Sequence, residues 1–351
     1  MFGLLKKKKD LVGIDIGSSS VKLVQLWQTK DGYQLLNAAI MPLPPEAIVD
    51  NSLMDTATVV GAIKNLMASH GIKTKDAACS ISGNAVIIRK IVLQAMTNDE
   101  LEDQISWEAE QYIPFDIKDV HLDFQILGPD PIDSSKNQVL LVASKKDNIT
   151  DYMTVFTDAG MHLGVMDVDA FAVQNAFELN VNNLDEVRAL VNVGAGVMNI
   201  NVVRNGVSLF TRDVQMGGNQ YTEEIQKQLG VGLQEAESLK MRASQQQGHL
   251  LDVIHRVNDT LSQEIRRSVD FYNSTASGDE RIARLTMSGG CSKMFGLKEA
   301  VAAKLGIDVD TLNPFEQIKF NEKDFDPEYL REIAPLMAVG VGLAIRRVGD
   351  K

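Results

Sequence analysis

Leu11-Val-Gly-Ile-Asp15-Ile-Gly17-Ser-Ser-Ser20-Val-Lys22-Leu-Val-Gln-Leu26 is an apolar strand that halts at an acid, turns through a glycine and three serines, and returns as a second strand. The tip carries little side-chain bulk, so the backbone N–H groups of Gly17, Ser18, Ser19 and Ser20 can converge on an anion. Asp15 can hold Mg2+ through its waters, and Lys22 supplies positive charge. An ordinary hairpin with a small-residue turn reads the same, so the sequence downstream has to decide.

Asn192-Val-Gly194-Ala195-Gly196-Val-Met-Asn-Ile-Asn-Val-Val203 repeats the plan, with an apolar strand, a Gly-x-Gly turn and a returning β-branched strand. Such a hairpin can close on the same phosphates from the other side. Thr286-Met-Ser-Gly289-Gly290-Cys291-Ser292-Lys-Met294 then gives a strand ending in two glycines, where missing side chains would let the backbone lie flat against a base. This spacing suits a site between two lobes. Met216-Gly217-Gly218 precedes a helix predicted over 221–229, whose free N–H groups could face phosphate, although a plain glycine turn looks alike. A further helix over 232–242 sets Glu237 and Lys240 three apart on one face, as a solvated ion pair would also be.

A length of 351 residues, 44% apolar, allows two cored domains and excludes a disordered or fibrous chain. The net charge of −12 argues against a nucleic-acid-binding surface. Only Cys79 and Cys291 are present, so no disulfide framework is expected and a reducing cytoplasm fits. The five histidines lack ligand spacing, and no His/Cys metal site is expected. No run of 18 apolar residues occurs, and the start shows no signal peptide. The opening Phe2-Gly-Leu-Leu-Lys6-Lys-Lys-Lys9 reads either as a solvated tail or as a basic end touching an anionic bilayer.

After the first hairpin come a third strand (33–40), a Pro-rich loop (42–45) that cannot continue a ladder, a helix (55–70) stopped by Gly71, and a buried strand (78–81). Residues 84–164 then read as a small unit of strand, helix, strand, strand, helix and strand. Thr97-Asn-Asp-Glu100 is a capping box, with Leu101, Ile105, Ala109 and Tyr112 on one stripe. Trp107 and Tyr112 are expected in its core. The unit shows no chemistry and is a candidate docking module. Leu336 to Ile345 reads as an apolar helix whose Gly340 and Gly342 admit another helix closely.

Taken in order, Asp15-Ile-Gly-Ser-Ser-Ser, Asp167-Val-Asp169-Ala-Phe-Ala-Val, Val193-Gly-Ala-Gly196, Met216-Gly-Gly218, Ser288-Gly-Gly290 and Ala338-Val-Gly-Val-Gly-Leu-Ala resemble the five-part fingerprint of the actin-like ATPase superfamily. The resemblance implies an α/β fold of two RNase H-like lobes closing over ATP and Mg2+. By it, Asp15 organises the metal; Ser18, Ser19, Ser20 and Lys22 meet the outer phosphates; Gly194 to Gly196 close the opposite side; and Gly217 and Gly218 lie at the phosphate or ribose edge. Glu237 and Lys240 would touch adenosine, and Gly289, Gly290, Cys291 and Ser292 would form the adenine loop. Asp169 would orient a water near the outermost phosphate, although the residue types also allow it simply to cap the helix beginning at Ala170. Asn192 departs from the pattern, since many relatives carry an acid there. An amide can hold metal-bound water but cannot act as a general base, so binding is expected rather than turnover.

Within the superfamily, the inserted unit, the start of the chain and Trp107-Glu-Ala-Glu-Gln-Tyr-Ile-Pro-Phe-Asp116 are similar to the FtsA/PilM branch, and most to the PilM family of type IV pilus assembly. FtsA proteins continue beyond the hinge helix into an amphipathic helix, whereas this sequence stops at Lys351. The resemblance implies a basic tail (1–9), lobe I (10–83, 164–184 and 333–351), an inserted 1C (SHS2) subdomain (84–163) and lobe II (185–332). It further implies an ATP-binding scaffold at the inner face of the cytoplasmic membrane. Its partner would be the amino-terminal cytoplasmic peptide of a PilN-type membrane protein, with other platform or motor proteins and self-association also compatible. An FtsA-like division filament and a small-molecule kinase of the same superfamily are the alternatives.

Overall fold

The computed structural model describes residues 11–245, 248–276 and 278–350; the basic tail lies outside the described residues. β1 (Val12–Gly17), β2 (Ser20–Thr29) and β3 (Gly32–Pro42) form an antiparallel meander, as their apolar runs and the Gly17–Ser20 turn require. Pro42 ends β3, but the ladder carries one bond more, because the Leu43 N–H donates to the Ser19 carbonyl at 2.9 Å and tethers the hairpin tip. A short ribbon, β4 (Ile48–Val49) and β5 (Ser52–Leu53), precedes α1 (Thr56–Ser69). Asp55 caps α1 by accepting from the Thr58 N–H at 3.0 Å, and Gly71 follows its end at φ +60°. β6 (Asp76–Ile81) runs parallel to β1.

β7 (Val86–Gln94), α2 (Asn98–Ala109), β8 (Val120–Pro129) and β9 (Lys136–Lys145) then build a separate three-stranded sheet of order β7-β9-β8. The capping box at Thr97 and Glu100 forms, and Leu101, Ile105 and Ala109 bury against this sheet. Trp107 was expected beside them, yet it is 77% exposed. It stands two residues from Ile105, about 200° around the helix, and so faces away from the buried stripe.

α3 (Lys146–Asp158) leads to β10 (His162–Val168), which lies parallel to β6, and α4 (Asp169–Asn180) follows. α3 buries Tyr152, Val155 and Phe156 in the lobe I core. By packing, therefore, the insert ends near residue 145 and lobe I resumes earlier than residue 164.

The second half repeats the first. β11 (Arg188–Val193), β12 (Met198–Arg204) and β13 (Val207–Val214) form an antiparallel meander. After α5 (Asn219–Leu229), α6 (Leu233–Met241) and α7 (His249–Thr275), β14 (Arg284–Ser288) joins parallel to β11. α8 (Leu297–Leu305) and β15 (Asp308–Thr311) complete a sheet of order β13-β12-β11-β14-β15. The α7 stripe at Ile254, Val257, Leu261, Ile265, Val269 and Tyr272 is buried against it, as the helical spacing required.

β16 (Ile318–Lys319) returns to the edge of the lobe I sheet beside β3, and α9 (Pro327–Ile333) and α10 (Ala338–Ala344) follow. Leu312, Phe315 and Ile318 share a core with α4 and α10, so the chain rejoins lobe I well before residue 333. That core also takes in Leu190 and Val203 of the second sheet, which places α4 and α10 between the two lobes. Close approach there depends on glycine. An added Cβ on Gly342 would stand 1.7 Å from the Ala172 carbonyl oxygen of α4, and one on Gly340 would meet Val24 of β2 at 3.0 Å. Only Gly342 therefore serves a helix–helix contact.

Candidate functional site

Between the lobes lies a cleft of about 1080 Å³ whose walls are the two glycine-bent hairpins. Asp15 and Lys22 face each other across the β1–β2 ladder, and Lys22 Nζ donates to Asp15 Oδ2 at 3.0 Å with both side chains nearly buried. Gly17, Ser18, Ser19 and Ser20 line the same wall. The opposing tip reaches them directly: an added Cβ on Gly196 would lie 3.1 Å from Ser18 Oγ. Convergence of the two hairpins, read from their sequences, is thus present in the fold.

Behind the first hairpin stands Asp169, the opening residue of α4. Ser80 Oγ at the end of β6 donates to its Oδ1 at 2.5 Å. The helix N-cap is Val168, so the Asp169 carboxylate serves this cluster. Burial pushes Asp169 up to about 6, and the Asp15 charge adds to the rise; hydrogen bonds from Ser80 and Ser82 oppose it, and Asp213 adds to it. Because this pKa lies above that of the unfolded chain, the folded state holds the extra proton between about pH 4 and pH 6. The group's contribution to stability is complete below about pH 4 and is lost as pH rises through 6. Asp169→Asn is accordingly expected to gain stability relative to the parent as pH rises from 4 to 7. Urea midpoints of both proteins across that range test this, and a pH-independent difference would contradict it.

On the lobe II wall, Asn192, Gly194, Ala195, Gly218, Glu237, Lys240, Gly289, Gly290 and Cys291 reach the cleft. Lys240 Nζ donates to Glu237 Oε1 at 2.7 Å and to Thr222 Oγ1 at 2.8 Å, and Thr222 Oγ1 also donates to Glu237 in a short hydrogen bond. The Lys240 side chain is 11% exposed against 45% for Glu237. The pair is therefore built into the wall, with its carboxylate turned outward.

Four expectations differ from the fold. The first amides of α5 are not free: the Gly218 N–H donates to the Gly194 carbonyl at 3.0 Å and the Asn219 N–H to that of Ala195 at 2.8 Å. Gly217 does not line the cleft; it lets this turn press on the second hairpin, since an added Cβ would meet Gly194 O at 2.4 Å. Gly289, at φ +84°, likewise serves backbone packing, its Cβ position lying 2.4 Å from Val193 O, and of the glycine pair only Gly290 opens on empty space. Ser292 folds back to donate to the Gly289 carbonyl at 2.7 Å. Cys291 donates to Gly194 O at 3.4 Å, and burial pushes its thiol up to about 12.

Sequence reading missed Ser80, Ser82, Tyr152 and Thr222, which line the cleft, and Asp213, whose carboxylate accepts from the Gly83 N–H across the lobes. Ser80 and Ser82 follow the rule that sites in open α/β sheets gather at the carboxyl ends of parallel strands. Asp213, two residues before Gln215-Met-Gly-Gly218, offered only its place beside a glycine turn.

The fold and cleft have relatives. The PilM–PilN type IV pilus biogenesis complex contains a chain 29% identical to this one, with a TM-score of 0.88 over 98% of this chain and 100% of that one. The ethanolamine utilization protein EutJ of Carboxydothermus hydrogenoformans (16% identity, TM-score 0.60, 95% and 89% covered) and MreB5 of Spiroplasma citri bound to ADP (11%, 0.51, 93% and 98%) share the actin-like two-lobed fold. The cell division protein FtsA of Bacillus subtilis is 23% identical over 252 residues, which are 65% of this chain and only 57% of that relative. A family profile described as type IV pilus assembly protein PilM matches residues 13–348. Spanning nearly the whole chain, that match places the protein in the PilM family of type IV pilus assembly proteins.

Proposed function

We propose that the protein acts in pilus assembly as a nucleotide-dependent scaffold. The interlobe cleft takes Mg·ATP, and a surface at lobe I and the inserted unit holds the amino-terminal cytoplasmic peptide of a PilN-type membrane protein. The observation that carries the first half is the meeting of two hairpin tips at Ser18 and Gly196 over the Asp15–Lys22 pair. The second half is supported by the 29% identical relative solved as a PilM–PilN complex.

When bound, ATP would supply the phosphates on which both hairpins act, and Mg2+ the charge to offset them. Lys22 and the tip of the first hairpin (17–20) would bind the phosphate end, and Glu237, Lys240 and Gly290 the nucleoside end. A cation would draw its oxygens mostly from phosphate and water through Asp15, because among the described residues no three His, Cys, Asp or Glu side chains converge on a metal position. Asp169 is able both to orient a water and to take up a proton, whereas Asn192 can orient a water but cannot accept its proton. Binding, with slow turnover at most, is the activity this set of groups favours.

Closure of the lobes on nucleotide alters peptide affinity only so far as the open and closed arrangements bind peptide differently, and linkage makes the effect reciprocal. Calorimetric titration of the full chain with a synthetic PilN amino-terminal peptide is expected to give saturable one-to-one binding. Absence of binding with and without Mg·ATP would remove the scaffold reading.

A further inference from the structure

A row of polar side chains crosses the lobe II sheet, one from each of four neighbouring strands. Asp213 on β13 is the cross-strand partner of Asn199 on β12, Asn199 of Asn192 on β11, and Asn192 of Ser288 on β14. Ser288 Oγ donates to Asn192 Oδ1 at 3.1 Å, Asn192 Nδ2 to Asn199 Oδ1 at 3.0 Å, and Asn199 Nδ2 to Asp213 Oδ1 at 2.8 Å. The other carboxylate oxygen, Asp213 Oδ2, accepts from the Gly83 N–H. Asn199 and Ser288 are 3% and 1% exposed, and Asn192 opens on the cleft.

A carboxylate only accepts hydrogen bonds, so Asp213 fixes the sense of the whole row. Asn199 must turn its amide nitrogen toward Asp213 and its oxygen toward Asn192; Asn192 must then offer nitrogen to Asn199 and oxygen to Ser288. This accounts for an amide rather than an acid at residue 192, because a carboxylate there would set two acceptors face to face. It also joins separate parts of the molecule. Gly83 opens the turn that leads from β6 into β7, the first strand of the inserted unit. It sits at φ +64°, and an added Cβ would lie 2.7 Å from Gln215 Nε2 of lobe II and 2.8 Å from Asn51 Nδ2 of lobe I. Asn51 Nδ2 in turn donates to Ser82 Oγ at 3.0 Å. The root of the insert is thus clasped where both lobes meet.

We infer that Asp213 is a positioning residue that ties the second hairpin of the cleft to the root of the inserted unit, so that the row Ser288–Asn192–Asn199–Asp213 passes the state of the cleft to the insert through Gly83. The nucleotide part of this inference rests on the function proposed above; the physical coupling of the row to Gly83 does not. Hydrogen exchange of the full chain, followed by mass spectrometry for the segment 82–86, tests both. Asn199→Ala cuts the row in its middle without touching Gly83, and is expected to speed exchange of that segment about tenfold, the effect of weakening one charge-assisted hydrogen bond. Asn201→Ala is the control. Asn201 is equally buried on the same strand but bonds to Ala170 and Gln174 of α4, so it should leave segment 82–86 unchanged even if it lowers overall stability as much. Should Asn199→Ala fail to fold, Asp213→Asn serves, with the same acceleration expected because it frees the row to reverse.

Equal behaviour of the Asn199 and Asn201 variants at 82–86, or no change in the Asn199 or Asp213 variant, would overturn the inference. In the parent, Mg·ATP is expected to slow exchange at 82–86, and Asn199→Ala to abolish that slowing; slowing that survives the substitution would also overturn it. Failure of Mg·ATP to protect residues 15–22 and 192–197 in the parent would instead overturn the nucleotide reading, leaving the comparison without nucleotide to decide the row.

Discussion

Asp15→Ala is expected to weaken Mg·ATP binding by about a hundredfold or more and to lower stability by about 2–4 kcal/mol. Both effects have one source. Lys22 Nζ sits opposite Asp15 at 3.0 Å with its side chain 13% exposed, so removal of the carboxylate leaves an ammonium with neither partner nor full hydration. The charge that would organise Mg2+ is lost in the same step. Asp169 responds too: Asp15 is one of the causes of its raised pKa, so the variant should show a smaller loss of stability between pH 4 and 6. Lys22→Ala should harm stability at least as much, since it strands Asp15 beside Asp169 without a cation. Calorimetry with Mg·ATP and urea unfolding measure the two effects. Nucleotide affinity within threefold of the parent would show that Asp15 lies outside the binding machinery.

Gly342→Ala is expected to cost about 3–5 kcal/mol, because the new methyl would fall 1.7 Å from the Ala172 carbonyl oxygen and backbone cannot yield as a side-chain tip can. At about 1–2 °C per kcal/mol for a chain of 351 residues, the melting temperature should fall by roughly 5 °C. Since α4 and α10 lie between the lobes, the strain should also widen the cleft and reduce nucleotide affinity. Gly61, in the middle of α1 with nothing within 4 Å of its Cβ position, is the contrasting site. Gly61→Ala should raise stability by about 0.5–1 kcal/mol through helix propensity. If both substitutions changed the melting temperature alike, close packing of the two central helices would not be what holds the lobes in register.

The two hairpins were legible because both their signals are local: apolar runs bounded by small residues, with an acid or amide just before the turn. The α2 stripe was legible for the same reason, being periodic. Trp107 is exposed because its offset from Leu101, Ile105 and Ala109 puts it on the far side of α2, so position on the helix outweighs the usual burial of a tryptophan. Less could be read where the answer lies in partners distant along the chain. Glycines at 217 and 289 announce that something comes close, but not whether it is a ligand or, as here, the carbonyls of Gly194 and Val193. The saturation of the α5 amides by the second hairpin, the docking of α3 onto lobe I, and the early return at Leu312 are tertiary facts of that kind. Asp213 shows the same limit, since its partners Asn199 and Gly83 come from a neighbouring strand and from the other lobe.

Scaffold control by nucleotide requires the space between the two hairpins to be a nucleotide site. Hydrogen exchange of the parent chain with and without Mg·ATP addresses it most directly. Stoichiometric binding with protection of residues 15–22 and 192–197 together is the result expected, whereas no uptake, or protection confined to other segments, would contradict it.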